Sequence, residues 1–214
     1  MPQIFHHSTN TISRVSIFGA AFFVAAFFGI ATLLDRSSYW TGQTKVLEQP
    51  VPFSHDHHVA AIGIDCRYCH TSVEDAAHAG IPPTATCMNC HSQIWADSPT
   101  LEPVRTSFRT GERIRWARVH DLPDFVYFDH SIHVAKGVGC VECHGRIDRM
   151  PLVYQAETLQ MEWCLDCHRN PTPRLRARSE IFNMASQKPG KDVQAQLAND
   201  YHVNSMIDCS TCHR

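Results

Sequence analysis

The hydrophobic pattern begins with one long uncharged run close to the amino terminus. Residues 15–34 read VSIFGAAFFVAAFFGIATLL and are bounded by Arg14 on one side and by Asp35 and Arg36 on the other. At about 1.5 Å per residue, a helix of this length covers about 30 Å, the thickness of a bilayer's hydrocarbon core. The apolar region of a cleaved signal peptide is shorter, normally about 7–15 residues. The pattern therefore predicts one uncleaved transmembrane helix at residues 15–34.

A second pattern repeats in the remainder of the chain. The sequence F-x-H-x-x-H-V-A, followed by G-[IV]-x-C-x-x-C-H, begins once at Phe53 and again at Phe128. A further C-x-x-C-H follows within each copy. The pattern predicts two similar units at residues 53–91 and 128–168, and it leaves one more C-x-x-C-H at residues 209–213.

Composition changes the picture through cysteine. The 214 residues include 10 Cys and 15 His, while 19 Lys+Arg against 21 Asp+Glu give a net charge of -2, which excludes a polyanion-binding surface and a nucleic-acid partner. All ten Cys fall into C-x-x-C pairs, and His follows each pair directly. The five motifs are Cys66/Cys69/His70, Cys87/Cys90/His91, Cys140/Cys143/His144, Cys164/Cys167/His168 and Cys209/Cys212/His213.

This spacing indicates covalent attachment of five c-type haems. In such a motif the two thiols bond to the haem and the histidine supplies the proximal iron nitrogen. Zinc sites need four ligands and give no reason for a histidine directly after every pair. Structural disulfides usually join distant cysteines, and iron–sulfur clusters would leave the five histidines unexplained. Haem attachment accounts for both the cysteines and the histidines.

The number of haems constrains the fold. The chain after the apolar run offers about 36 residues for each of five haems, fewer than the roughly 50 residues of a small independent domain. The haems must therefore pack together and form much of the apolar core. We expect a mainly helical or irregular multihaem cytochrome c fold, with a single transmembrane helix, short helices at the attachment motifs and little sheet.

Haem iron that only transfers electrons needs a second axial ligand. In each H-x-x-H pair, residues i and i+3 lie a turn apart on one helix face, so the two imidazoles can reach different haems. The expected same-motif axial pairs are His55/His70 and His130/His144, and the remaining two histidines bridge to other haems. The predicted distal ligands are His55, His58, His130 and His133, with His120 as the fifth; Met150, Met161, His78 and His202 come after it.

Two arginine-rich stretches lie between the haem motifs, and their guanidinium groups could neutralise haem propionates. An ordinary solvated helix face is the alternative for any single arginine. The stretches contain Arg105, Arg109, Arg113, Arg115 and Arg118, then Arg174, Arg176 and Arg178.

The side of the membrane follows from haem chemistry, because c-type haem is attached outside the cytoplasm. Residues 1–14 are then a cytoplasmic amino terminus, and residues 35–52 are a linker. Residues 53–214 form a periplasmic pentahaem domain on a single-pass protein of the bacterial inner membrane. The loop-charge rule for orientation gives only a weak signal here.

The motifs FSHDHHV, CRYCHTSVEDAAHAGIPPTATCMNCH, RVHDLPDFVYFDHSIHVAKGVGCVECHGRIDRMPLVYQ, WCLDCHR and CSTCHR carry a family resemblance. Together with the apolar run, they resemble the pentahaem cytochrome c subunit of alternative complex III. The likeness covers the anchor and nearly all of residues 53–214.

The resemblance implies an electron-transfer subunit that is not an enzyme on its own. It implies a respiratory or photosynthetic membrane complex that oxidises quinol, with menaquinol as the expected species. An iron–sulfur subunit would pass electrons to this chain, and polytopic subunits would hold the quinol site. The implied acceptor is a periplasmic cytochrome c, a blue copper protein or a terminal oxidase.

Two other functions fit parts of the pattern. A small membrane-anchored quinol dehydrogenase of the tetrahaem type also has an anchor, but it has fewer haems and keeps one close to the membrane. A multihaem reductase of nitrogen or sulfur compounds needs an open haem, whereas this chain has enough candidates for every second axial ligand.

Overall fold

The computed structural model describes residues 4–213, and these residues form helices and irregular segments. Within that range the only β-pairing consists of isolated bridges, Val46 with Tyr154 and Val138 with Leu175. The expected mainly helical and irregular fold with little sheet is confirmed.

The α-helices of the described residues are numbered here in chain order, and a single π-helical turn spans Asp56–Ala61. Short 3-10 turns cover Pro99–Leu101, Ile147–Arg149, Thr172–Arg174 and Arg178–Glu180. The α-helices are α1 Thr9–Asp35, α2 Ser38–Thr41, α3 Cys66–Cys69, α4 Thr84–His91, α5 Glu102–Thr110, α6 His130–Ala135, α7 Val141–His144, α8 Met161–Arg169, α9 Lys191–Asp200 and α10 Cys209–Cys212.

Helix α1 contains the predicted membrane span and begins six residues earlier than predicted, at Thr9 instead of residue 15. It is long and apolar enough to cross a membrane, judged by its length and composition. Its large side chains are exposed, for example Phe22 and Leu33. Exposed apolar side chains all along a helix are expected when lipid is the surrounding solvent.

The chain divides into two compact units, one ending at Gly42 and the other starting at Gln43. Residues 43–52, the second half of the linker expected at residues 35–52, are therefore part of the larger unit. Thr44 N–H donates to the carbonyl of Gln155 at 2.8 Å. The Gln49 side chain bonds the backbone of Ala117 through both its amide nitrogen and its oxygen, each at 2.9 Å.

The larger unit has few buried aliphatic side chains for its size. One cluster joins Val51, Leu101 and Val104, and it packs against the aromatic ring of Trp116. Leu175 is the most completely buried side chain, at 0% exposure. A protein core this small favours additional stabilisation by metals, cofactors or covalent links.

The two repeat units are interlocked. The π-helical turn at Asp56–Ala61 packs against residues Ile147–Arg149, and Asp56 N–H donates to Met150 O. In the same way, Ser131 N–H at the start of α6 donates to Ala76 O. Each H-x-x-H segment is thus held by the loop that follows the first C-x-x-C-H of the other unit.

Candidate haem-ligand cluster

Each C-x-x-C pair lies within one turn of a short helix, in α3, α4, α7, α8 and α10, with Cys140 capping α7. A spacing of three residues on a helix puts both thiols on one face, as a shared covalent partner requires. Helix α3 begins directly after Asp65, whose carboxylate accepts from Arg67 N–H at 2.8 Å. The histidine of each motif stands at the end of its helix or directly after it.

Four of the five motif histidines use Nδ1 to bond a backbone carbonyl oxygen. The acceptors lie 2.7–3.0 Å away. A carbonyl can only accept, so Nδ1 carries the proton and the Nε2 lone pair is free for a metal. The pairs are His70 with Gly80, His91 with Ile94, His168 with Met206 and His213 with Phe125.

The H-x-x-H histidines are held in the same tautomer. Nδ1 of His58 donates to Ser54 O at 2.8 Å, and Nδ1 of His133 donates to Asp129 O at 2.6 Å. Nδ1 of His130 donates to Ala77 O, in the other repeat unit, at 2.8 Å. These three imidazoles also have Nε2 available as a metal-binding nitrogen.

One phenylalanine in each repeat fixes both histidines, a role that sequence reasoning did not assign although the repeat pattern contains the residue. Phe53 stacks on His58 with ring centroids 4.4 Å apart and meets His55 edge-on at 4.9 Å. Phe128 contacts His133 at 4.5 Å and His130 at 4.8 Å in the same geometry. The repeat in sequence is a repeat in side-chain geometry.

The structure brings three H-x-x-H histidines opposite three motif histidines. Ring centroids are 6.1 Å apart for His58 and His91, and also for His133 and His168. His130 and His144 are 6.3 Å apart with nearly parallel rings, 12° between their planes. Two imidazoles that bind one metal from opposite sides, at about 2 Å per bond, have centroids about 6 Å apart. These residues therefore fit axial ligation of haem iron.

His55 and His120 complete a group of imidazoles around the first motifs of the two repeats. Nδ1 of His55 is buried and has no hydrogen-bond partner among residues 4–213. Nε2 of His120 lies 3.3 Å from Nδ1 of His144, and their ring centroids are 4.4 Å apart. His120 therefore lies beside His144 and closer than the separation expected for two imidazoles on opposite sides of one metal.

Burial keeps these imidazoles neutral. Burial, assisted by the neighbouring His120 and His130, lowers the pKa of His144 to about 3. Burial and the neighbouring His70 and His58 lower the pKa of His55 to about 4. A neutral imidazole is the form that binds a metal, so this environment favours ligation over protonation at neutral pH.

The cysteines show which motifs are neighbours in space. Burial raises the pKa of seven thiols, and in four of these a thiol of another motif raises the pKa further. Such charge effects weaken with distance, so each of these pairs indicates two motifs that are neighbours in space. Linked through the pairs, the motifs run in the order 87–91, 66–70, 140–144, 164–168 and 209–213. The neighbouring thiols are Cys87 for Cys69, Cys66 for Cys140, Cys167 for Cys143 and Cys212 for Cys164.

Two thiols differ from the other eight in their exposure to solvent. Cys90 and Cys209 are exposed, whereas the remaining cysteines are partly buried. Their motifs are the two at the ends of this order. Covalent attachment needs an accessible thiol and not a buried one, so the assignment of Cys90 and Cys209 as haem-binding residues stays a prediction.

The other candidate ligands lie in different environments. His78 and His202 are exposed, and His202 has a positive φ of 51°. Met161, the first residue of α8, is 67% exposed, whereas Met150 is 3% exposed. No hydrogen bond or ring contact described for residues 4–213 brings any of these four side chains to a motif histidine.

Most of the arginines proposed for haem propionates have protein partners. Arg105 and Arg109 bond Glu102, Arg118 bonds Asp121, and Arg178 lies over the Tyr201 ring. Arg113 and Arg115 are exposed.

Arg174 and Arg176 instead meet at a buried carboxylate that sequence reasoning missed. Glu142, inside the third motif, accepts from Lys188 at 2.9 Å, Arg176 at 3.0 Å and Arg174 at 3.2 Å. Burial raises the pKa of Glu142, but the hydrogen bonds from these three cations lower it by more, so the net change is a decrease. The pairing joins residues more than thirty positions apart, and no local pattern signals it.

A sheetless helical domain in which imidazole pairs face each other beside C-x-x-C-H helices defines a multihaem c-type cytochrome. A family model described as cytochrome c7 and related cytochrome c matches residues 126–214. The multihaem cytochrome c subunit of menaquinone reductase from Nitratidesulfovibrio vulgaris is 31% identical over 176 residues, covering 78% of this chain and 77% of that subunit. This chain belongs to the family of multihaem cytochrome c subunits that includes this relative. It is an electron-transfer subunit with covalently bound c-type haems.

Proposed function

We propose that this chain is a membrane-anchored pentahaem relay within a quinone-linked oxidoreductase complex. Each C-x-x-C-H motif holds one haem. His55, His58, His130 and His133 supply four of the second axial ligands, and the fifth comes from the remaining candidates Met150, Met161, His78 and His202. The observation that carries the proposal is the set of three facing imidazole pairs with centroids 6.1–6.3 Å apart. Bis-histidine haem exchanges single electrons and leaves no position for a substrate.

The order of the motifs supports a linear relay. Motifs 87–91 and 209–213 are the two ends, and the first motifs of the two repeats lie together in the middle. The exposed thiols Cys90 and Cys209 belong to these ends. The chain thus offers two separate surfaces for partners, one near His91 and one near His213. A linear arrangement with distinct ends suits transfer between two different proteins.

The membrane assignment rests on α1, which has the length and composition of a span. We propose that it crosses the bacterial inner membrane once and places the haem domain in the periplasm. The proposed donor side consists of an iron–sulfur subunit and polytopic subunits that bind menaquinol. The proposed acceptor is a periplasmic cytochrome c, a blue copper protein or a terminal oxidase, as in alternative complex III.

A second candidate is the same relay operating in the opposite direction. It is supported by the relative from Nitratidesulfovibrio vulgaris, whose name describes a menaquinone reductase. A chain of haems conducts either way, because the potentials of donor and acceptor set the direction. In purified native complex, haem reduction after addition of a menaquinol analogue supports quinol oxidation. Reduction of the menaquinone analogue by a reduced periplasmic cytochrome supports the reverse.

The ligation is tested by low-temperature EPR and near-infrared magnetic circular dichroism on the oxidised full-length protein, combined with a haem-to-protein ratio. We expect five haems per chain, all low-spin. His58→Leu should convert one haem to high spin, because it removes the imidazole that faces His91. The matched control is His57→Leu, since His57 is exposed and stacks on Trp95, and it should leave every haem low-spin.

Two results would overturn the proposed function. One is fewer than five haems in the wild-type protein. The other is a stoichiometric high-spin haem in the wild-type protein that binds cyanide or nitrite, since an open haem position indicates an enzyme.

A further inference from the structure

His144 differs from the other motif histidines in the partner of its Nδ1 atom. Four motif histidines direct Nδ1 at a backbone carbonyl, whereas Nδ1 of His144 lies 3.3 Å from Nε2 of His120. A histidine that binds iron through Nε2 keeps its proton on Nδ1. The Nε2 atom of His120 is therefore the acceptor of that proton's hydrogen bond.

The same geometry argues against His120 as a ligand of the haem at the third motif. The side opposite His144 is taken by His130, whose ring is nearly parallel at 6.3 Å. His120 meets His144 at 4.4 Å with 70° between the ring planes, too close for the two imidazoles to face each other across one iron. An Nε2 atom that accepts from His144 also cannot donate its lone pair to a metal at the same time.

We propose that His120 is a positioning residue that sets the orientation and the electron-donating strength of His144. This inference rests on the proposed haem at Cys140 and Cys143. Hydrogen bonding from a metal-bound histidine to an outer acceptor fixes the ring and raises the basicity of the ligand. A more basic axial ligand stabilises ferric over ferrous iron, so His120 lowers the potential of this one haem. The motif lies in the middle of the order of attachment sites, where the potential affects transfer in both directions.

The test compares His120→Leu and His120→Gln with wild type in the full-length, haem-loaded protein. Potentiometric titration monitored by optical spectra and EPR resolves the individual haems. Loss of a hydrogen-bond partner of a metal ligand typically costs about 10-fold or more in metal affinity or activity. A tenfold change in the redox equilibrium of a one-electron couple corresponds to about 59 mV. In His120→Leu we expect one haem to shift upward by roughly this amount, with five low-spin haems retained. The Gln variant can accept through its side-chain oxygen and should recover part of the shift.

A control variant and three results decide the outcome. His7→Leu changes an exposed histidine of the unit that ends at Gly42, which contains no C-x-x-C-H motif, and it should leave all potentials unchanged. Conversion of one haem to high spin in His120→Leu would make His120 an axial ligand and overturn the inference. Unchanged haem potentials in both His120 variants would also overturn the inference. The proposed relay would still stand in that case if the wild-type protein has five low-spin haems. If His120→Leu fails to accumulate, the His120→Gln spectrum decides, because an amide does not replace an imidazole as a low-spin haem ligand.

Discussion

Single side chains hold the ligand imidazoles before any long-range packing is considered. In each H-x-x-H pair, one phenylalanine ring stacks on the second histidine and meets the first histidine edge-on. Aromatic pairs of this kind contribute about 0.5–1.5 kcal/mol beyond the area they bury. A carbonyl partner at Nδ1 then fixes the tautomer, so both the position and the chemistry of each nitrogen are set locally.

Away from the haem motifs, Glu102 provides a residue-scale test of electrostatics at the start of α5. Hydrogen bonds from Thr106, Arg105 and Arg109 lower the pKa of this carboxyl from 4.5 to about 2. A carboxyl with a depressed pKa in the folded state stabilises the fold at pH values above its unfolded pKa. That contribution is lost as the pH falls from about 4.5 towards 2.

Glu102→Gln should therefore lower the melting temperature slightly at pH 7 and have no effect near pH 2. The small size follows from solvent exposure of the pairs. Thermal unfolding of the two proteins across this pH range makes the comparison, with Glu112→Gln as a control outside the network. An equal difference between Glu102→Gln and wild type at both pH values would contradict the expectation.

At the scale of elements, the two repeats have the same sequence pattern and different surroundings. Gly63 and Gly137 occupy the same repeat position, three residues before the first cysteine of a C-x-x-C-H motif, with φ angles of 83° and 82°. A Cβ atom at residue 63 would meet nothing within 4 Å. At residue 137 it would lie 2.6 Å from the Tyr201 ring and 2.8 Å from the carbonyl oxygen of Arg176.

The two glycines therefore form a matched pair of variants. Gly63→Ala should cost about 1–2 kcal/mol, because only the left-handed backbone conformation opposes it. Gly137→Ala has the same backbone cost and a steric clash worth about 1–3 kcal/mol more. Denaturant unfolding of the haem-loaded proteins measures both free energies of unfolding. Equal losses would show that the contacts of Gly137 with Tyr201 and Arg176 do not restrain this turn.

The interlocking of the repeats also belongs to this scale. The first H-x-x-H segment bonds Met150 O in the second unit, and the second bonds Ala76 O and Ala77 O in the first. Each segment thus gains partners from the opposite unit. The repeat could be recognised from the sequence, but the bonding of each H-x-x-H segment to the opposite unit could not. The local pattern would be the same if each segment bonded its own unit.

For the molecule as a whole, the division after Gly42 predicts that the haem domain folds without α1. Residues 43–214, exported behind a cleavable signal peptide, should acquire five haems and appear in the soluble periplasmic fraction. The full-length chain should remain with the membrane, because α1 has the length and apolar composition of an anchor. Fractionation followed by haem staining distinguishes the two outcomes, and haem-loaded 43–214 that stays in the membrane would contradict the role of α1.

A shorter fragment, residues 53–214, is the matched control for that truncation. It begins at the boundary expected from sequence. It lacks the hydrogen bonds of Thr44 to Gln155 and of Gln49 to Ala117, and it also lacks Val51 of the buried cluster, whose loss adds to that of the bonds. Loss of these bonds should lower the stability of the fragment by about 0.5–1.5 kcal/mol for each bond. Thermal unfolding of the two fragments compares them directly.

The sequence alone determined the features whose parts are close together in the chain. A C-x-x-C-H motif lies in one helical turn, the H-x-x-H pair lies within another, and an apolar run of this length defines a possible membrane span. The fold class followed from crowding many such motifs into one short chain. These features depend on spacing and composition, which every stretch of the chain carries with it.

Only the tertiary structure decided which distant residues meet. It brought His58 opposite His91, His133 opposite His168, and His120 against His144, and it placed Glu142 among three cations. It also made the motifs at 66–70 and 87–91 neighbours, with the Asn89 amide donating to the Tyr68 hydroxyl, and left Cys90 exposed. Such pairings join residues separated by tens of positions, and loops between them can close in several ways at similar entropic cost. Packing and buried hydrogen bonds select one of these closures, and short-range sequence patterns do not encode that choice.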